Sequence, residues 1–127
     1  MILADTCVLI DYLRHKPQAV DFIDNFGKSN IALSNVVIIE LFKGVRNSRE
    51  YRALKSELQN FAQIEIDNKV SALAIKLADT YALSHQMGLG DTLIAATALV
   101  YDLELKTYNL RDFRFIPTLK VNDNLTL

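Results

Sequence analysis

A chain of 127 residues, 50% hydrophobic and 23% charged, has the composition of one soluble globular domain, which excludes a disordered protein. The formal net charge of -1 provides no bulk attraction for nucleic acid, so any polyanion must bind a local surface. No apolar run approaches the roughly 18 residues of a membrane span, and the N-terminus lacks the basic region of a signal peptide. We therefore expect a cytoplasmic protein with no membrane contact.

Short apolar runs and amphipathic segments alternate along the chain. The apolar runs predict strands, which cover residues 1–4, 31–33, 64–66, 103–108 and, weakly, 119–121. The segments with helical periodicity predict helices, which cover residues 8–13, 17–26, 36–45, 48–61, 68–85 and 91–99. Pro17 suits a first helical turn, Gly27 a helix end and Ser34 an N-cap.

This alternation predicts an α/β fold with one domain over residues 1–127. We expect a central, mainly parallel sheet of four to five short strands flanked by helices. No repeat, low-complexity segment or linker divides the chain. Ligands of such sheets bind beyond the carboxyl ends of the strands, where Asp5 and the turn over 107–112 would lie.

Four acidic residues stand beside apolar sequence; they are Asp5, Glu40, Asp91 and Asp112. Burying a lone carboxylate costs several kcal/mol unless it is paired, so repeated acids at core edges suggest a shared cation. Three of the four acids also have simpler explanations, because Asp commonly caps helices or closes turns. Glu40 has no capping explanation, although its helix could turn it towards solvent.

The residue types around the four acids favour a hard divalent metal ion. The chain offers one cysteine, Cys7, to which we assign no chemistry, and two histidines without ligand spacing, His15 and His85. Carboxylate oxygens favour Mg²⁺ or Mn²⁺ over structural zinc. Such metals lower the pKa of bound water and stabilise in-line phosphoryl displacement, so hydrolysis of phosphodiesters is the chemistry that we predict.

A cationic segment over residues 43–55 follows Glu40. Its cations include Lys43, Arg46, Arg49 and Arg52, which we interpret as a surface for RNA or a protein partner. A solvated helical face with no ligand explains the same pattern equally well.

The chain resembles the PIN-domain ribonucleases, and among them the toxins of VapBC-type toxin-antitoxin pairs. The resemblance rests on four segments in order, which are residues 5–11, 34–44, 90–98 and 107–113. It implies that the four acids bind metal, while Thr6 and Asn109 support them through hydrogen bonds. Cys7 departs from the Ser or Asn that the family often has there.

The same resemblance implies an endoribonuclease that uses Mg²⁺ or Mn²⁺ and cuts selected structured RNAs. It also implies a homodimer and a small cognate antitoxin as partner. A catalytically silent PIN-like binding or scaffold module is the main alternative. A phosphatase of the haloacid-dehalogenase type needs a second Asp two residues after Asp5, where Cys7 stands, and a receiver domain needs paired acids that are absent.

Overall fold

The computed structural model describes residues 1–126, and in this part of the chain strands and helices alternate. The strands are β1 (Ile2–Ala4), β2 (Ile31–Ser34), β3 (Ala62–Ile64), β4 (Glu104–Lys106) and β5 (Val121–Asn122). The α-helices are α1 (Thr6–Leu13), α2 (Pro17–Phe26), α3 (Asn35–Lys43), α4 (Ser48–Leu58), α5 (Asn68–Tyr81) and α6 (Leu89–Val100). Two single 3₁₀ turns cover Lys28–Asn30 and Leu110–Asp112. The predicted α/β class is confirmed.

All five strands pair in parallel, in the order β3-β2-β1-β4-β5. Ile2 of β1 is in register with Ile31 of β2 on one side and with Glu104 of β4 on the other. The chain leaves β1 towards β2 and β3 and later returns to the opposite side of β1 as β4. The strand order therefore reverses between β1 and β4, which is where open α/β sheets bind their ligands.

The central strands are buried on both faces. Leu3, Leu33 and Leu105, one from each of β1, β2 and β4, have no exposed surface. Helices cover both sides of such a sheet, which explains why these strands appear in the sequence as continuous apolar runs. Phe113, which follows β4 in the chain, is also fully buried and belongs to the same core.

Several element boundaries differ from prediction. The third strand covers Ala62–Ile64 instead of 64–66, because Asp67 accepts a hydrogen bond from the Val70 N–H at 2.9 Å and so fixes the start of α5. α4 ends at Leu58, whose carbonyl accepts from the Gln63 side chain at 3.3 Å. α5 ends at Tyr81, before the predicted 85.

α6 begins at Leu89, two residues before Asp91, so Asp91 lies in its first turn and does not cap it. Among the helices of residues 1–126, none has both the length and the apolarity that a bilayer crossing needs.

Candidate active site

Asp5 follows β1 directly and is buried, with 4% of its surface exposed. One carboxylate oxygen, Oδ1, accepts the backbone N–H of Thr6 at 2.8 Å, so Asp5 is the N-cap of α1. The other oxygen, Oδ2, accepts the hydroxyl of Thr107 at 2.7 Å. The capping explanation for Asp5 is therefore correct, and it leaves the second oxygen facing the end of β4.

Thr107 is a site residue that sequence reasoning missed. It is fully buried directly after β4, and its hydroxyl oxygen also accepts the backbone N–H of Asn109 at 3.0 Å. Asn109 thus acts on the site through its main chain, as an indirect support of Asp5. In the sequence Thr107 lies within the predicted strand over 103–108, and its proximity to Asp5 depends on β4 pairing with β1.

Glu40 lies on the solvent-exposed side of α3, next to Ile39, which is 56% exposed. Asp112 is also exposed, so the expectation that all four acids sit at the edge of the core holds only for Asp5 and in part for Asp91. The helical period of α3 buries Val36, Val37 and Leu41 and leaves Glu40 outside. Hydrophobic neighbours in sequence were therefore misleading for Glu40.

Glu40 is nevertheless tied to the end of β1. The Thr6 hydroxyl donates to Glu40 Oε1 at 2.9 Å, as expected of a supporting residue. The start of α6 approaches from the other side, because a Cβ atom on Gly90 would lie 3.8 Å from both Glu40 carboxylate oxygens. The first turns of α1 and α6 therefore both border the Glu40 carboxylate.

Asp91 is half-buried in the first turn of α6. Burial is the largest cause that raises the pKa of Asp91, and together with the negative charges of Asp5, Asp112 and Glu40, in that order, it brings the pKa to about 6. A helix N-terminus normally favours a charged carboxylate, so the raised pKa means that burial and repulsion outweigh the helix dipole. The fold thus places Asp91 where the charges of the other three predicted acids all act on it.

Cys7 takes part in the network around Asp5, although we had assigned it no chemistry. Its sulfur lies 3.9 Å from Asp5 Oδ2 and 3.6 Å from the Thr107 hydroxyl, and it accepts the Tyr108 N–H at 3.5 Å. Burial is the main cause that raises the pKa of the Cys7 thiol. Cys7 is therefore a neutral thiol, and its contacts link α1 to the segment that follows β4.

Oxygen donors and excess negative charge make the site chemically suited to a hard cation. In residues 1–126, however, no three His, Cys, Asp or Glu side chains lie close enough to form a ready ligand set. The Asp5 and Glu40 carboxylates instead accept hydrogen bonds from threonines. Magnesium retains several water ligands and needs only one or two direct carboxylates, so a hydrated ion fits these acids.

The cationic segment lies beside a groove of about 340 Å³ between α1, α3 and α4. Residues that line this groove include Ile10, Leu13, Arg14, Glu40, Arg46 and Leu54. Arg46 is paired with Glu50 at 3.0 Å, which partly neutralises its charge. Lys43, Arg49 and Arg52 are exposed to solvent.

Comparison with known proteins gives one consistent result. The family model described as PIN domain matches residues 2–117. Ribonuclease VapC19 of Mycobacterium tuberculosis is 36% identical over 126 residues, which cover 94% of this chain and 98% of that protein. Ribonuclease VapC10 of the same organism is 38% identical over 122 residues, covering 94% and 91%. A solved toxin-antitoxin complex from Klebsiella pneumoniae contains a chain that is 27% identical, with a TM-score of 0.81 and coverage of 99% and 98%.

Proposed function

This chain belongs to the PIN-domain family, and from that premise we propose that it is an endoribonuclease acting as the toxin of a toxin-antitoxin pair. The observation that carries this proposal is the convergence of the other three acids on Asp91, where burial and then charge repulsion raise its pKa to about 6. Such an excess of negative charge beside a phosphate-cleaving site requires a counter-cation.

We assign Mg²⁺ or Mn²⁺ to the acids Asp5, Glu40, Asp91 and Asp112. A divalent ion there supplies Lewis-acid activation of water and stabilises charge on the phosphoryl oxygens. Asp5 is the most firmly held of the four acids, because the Thr6 N–H and the Thr107 hydroxyl fix both of its oxygens. Thr6 also orients Glu40, and the Asn109 N–H orients Thr107.

The substrate that we propose is structured RNA, because two relatives that align over nearly the whole chain are named ribonucleases. The net charge of -1 cannot attract RNA by itself, so local cations must do so. Lys43, Arg49 and Arg52 are exposed and provide one such surface, with Arg46 contributing less because it is paired with Glu50.

A small cognate antitoxin is the protein partner that we propose, since the Klebsiella structure that this chain resembles is a toxin-antitoxin complex. We further propose that the toxin acts in the cytoplasm as a homodimer. Equilibrium ultracentrifugation of the purified toxin, alone and with the antitoxin, measures both associations. A mass of one chain at micromolar concentration would contradict the dimer.

A catalytically silent binding module remains the second candidate, because the four acids do not form a ready ligand set in residues 1–126. Calorimetric titration of antitoxin-free protein with Mn²⁺ separates the two functions. The nuclease requires Mn²⁺ binding that is lost in Asp5→Ala and retained in Asp24→Ala, which changes an exposed acid of α2. Absence of Mn²⁺ binding to the wild type would favour the silent module.

A further inference from the structure

The rings of His85 and Phe115 are stacked in parallel on the surface of the protein. Their centroids are 3.8 Å apart and their planes differ by 10°. Tyr81 contacts both rings edge-on, at 4.8 Å from Phe115 and 5.6 Å from His85. Phe115 is half-buried and His85 is exposed, so His85 is the solvent-accessible member of the pair.

This stack joins the two chain segments that carry Asp91 and Asp112. His85 belongs to the connection before α6, six residues before Asp91, and Phe115 follows Asp112 by three residues. Asp91 and Asp112 are close enough to repel each other electrostatically. The stack therefore connects the two chain segments that carry Asp91 and Asp112, which are different from the cationic segment over residues 43–55.

Two exposed cations lie on the chain segment that carries Asp112 and Phe115. Arg111 and Arg114 flank Asp112 in the chain, and both are exposed. Neither takes part in the ion pairs found within residues 1–126. Exposed rings and free guanidinium groups are the combination with which proteins bind single-stranded nucleic acid, because the ring stacks on a base while cations contact the backbone.

We propose that the His85–Phe115 stack is a base-stacking platform that holds an unpaired base of the RNA beside the four acids. Arg111 and Arg114 contact the phosphates next to that base. An unpaired base is required because both faces of a base within a duplex are already stacked. The identity of the ligand as RNA rests on the proposed function, whereas the platform itself rests on the ring geometry.

A purely structural role for these rings would not require the exposed face of His85. Tyr81 already packs against Phe115 and anchors it to the end of α5. His85 stacks on Phe115 and is nevertheless exposed, which packing alone does not explain. Replacement of His85 should therefore alter RNA affinity more than it alters folding.

The test asks whether the effect of replacing the His85 ring on RNA affinity depends on the presence of bases in the RNA. All proteins carry Asp91→Asn, so that RNA is not cut during the measurement. The probes are two labelled RNAs of about 12 nucleotides, one of oligoadenylate and one with abasic riboses, and fluorescence anisotropy gives their Kd values. The variants are His85→Ala and His85→Phe. The control is His15→Asn, which replaces the other histidine of the chain. Circular dichroism checks that each variant is folded.

His85→Ala should weaken oligoadenylate binding by about tenfold and leave binding of the abasic RNA unchanged. His85→Phe should restore oligoadenylate affinity to within about twofold of the histidine protein, because it keeps a planar ring. Arg114→Ala should weaken binding of both RNAs and reduce the salt dependence of log Kd by about 0.7.

Equal affinity of His85→Ala and the histidine protein for oligoadenylate would overturn the platform, as would an equal loss for both RNAs. Neither result would affect the proposed nuclease, which is tested separately by cleavage. The nuclease proposal would fail if RNA cleavage did not depend on the four acids. That result is independent of the Kd values from fluorescence anisotropy.

Discussion

The hydroxyl of Thr107 donates a 2.7 Å hydrogen bond to Oδ2 of Asp5, which joins the ends of the neighbouring strands β4 and β1. The same hydroxyl oxygen accepts the Asn109 N–H at 3.0 Å. One buried threonine therefore links Asp5 to the turn that carries Asp112. Its hydrogen bonds explain how a carboxylate with 4% exposure keeps a fixed orientation without an ion pair.

Thr107→Val should reduce both stability and activity. Valine keeps the shape of threonine but leaves Asp5 Oδ2 and the Asn109 N–H without this partner, a cost of about 1–3 kcal/mol. We expect RNA cleavage to fall by about tenfold or more, since loss of a group that orients a metal ligand has effects of that size. Urea denaturation and initial cleavage rates measure the two effects.

Thr97→Val is the control for that substitution. Thr97 is also fully buried, and its hydroxyl donates to the Leu93 carbonyl at 2.7 Å inside α6. The control should change stability without a matching loss of cleavage. Equal cleavage by Thr107→Val and the wild type would show that the Thr107 hydrogen bond does not position Asp5 for catalysis.

Asp91→Asn should stabilise the metal-free protein while it abolishes cleavage. The pKa of Asp91 is raised from 3.8 to about 6, so between these values the folded state binds more protons than the unfolded state. The wild type therefore loses stability as pH rises through about 6. Above that pH, uncharged asparagine should be more stable by about 1 kcal/mol, a value reduced because Asp91 is half-exposed.

Thermal unfolding in a chelator at pH 5 and pH 8 measures this difference. The advantage of Asp91→Asn should be larger at pH 8 and should shrink at pH 5, where the Asp91 carboxyl is mostly protonated. An advantage that is independent of pH would mean that the unfavourable ionisation of Asp91 is not its source.

Divalent ions should stabilise the wild type through the four acids. An ion at 100 times its Kd adds about 2.7 kcal/mol to the free energy of unfolding, because it binds only the folded state. Mn²⁺ should therefore raise the Tm of the wild type and of Asp24→Asn, and raise that of Asp5→Asn much less. The same increase in Asp5→Asn would place the ion elsewhere on the protein.

Charge removal from the cationic segment should raise KM without changing kcat. Each phosphate contact contributes about 0.7 to the slope of log K against log salt on single strands, so Arg49→Ala with Arg52→Ala should lower that slope. Arg46→Ala should have a smaller effect, because Glu50 already pairs with Arg46 at 3.0 Å. The control is Lys76→Ala, which removes an exposed cation from α5, outside the cationic segment.

A kcat loss in the Arg49→Ala, Arg52→Ala protein with unchanged KM would contradict this assignment. Rates measured between about 50 and 200 mM salt separate the two outcomes, since that range changes electrostatic binding strongly.

The sequence was sufficient to predict the α/β class, because strands buried on both faces are apolar runs, whereas the metal-binding role of the four acids stays a prediction. It was insufficient for Thr107, whose role appears only when β4 is paired next to β1. It was misleading for Glu40, because the helical phase of α3 determines exposure and apolar neighbours do not.

The contact between His85 and Phe115 could not be predicted from the sequence either. From the sequence it is the final residue of the predicted helix over 68–85, with no ligand spacing. In the structure α5 ends at Tyr81, Gln86 has a φ of 44°, and the turn between them places the His85 ring on Phe115. Such a contact between residues 30 positions apart leaves no periodic signal in the sequence.

The most direct test of the central claim is the rate of RNA cleavage by wild type and Asp91→Asn in Mn²⁺, with circular dichroism and Tm confirming that both are folded. We predict that Asp91→Asn is folded and at least as stable without metal, and that it cleaves at least about 100-fold more slowly. Cleavage of the same RNA by folded Asp91→Asn at the wild-type rate would contradict the account.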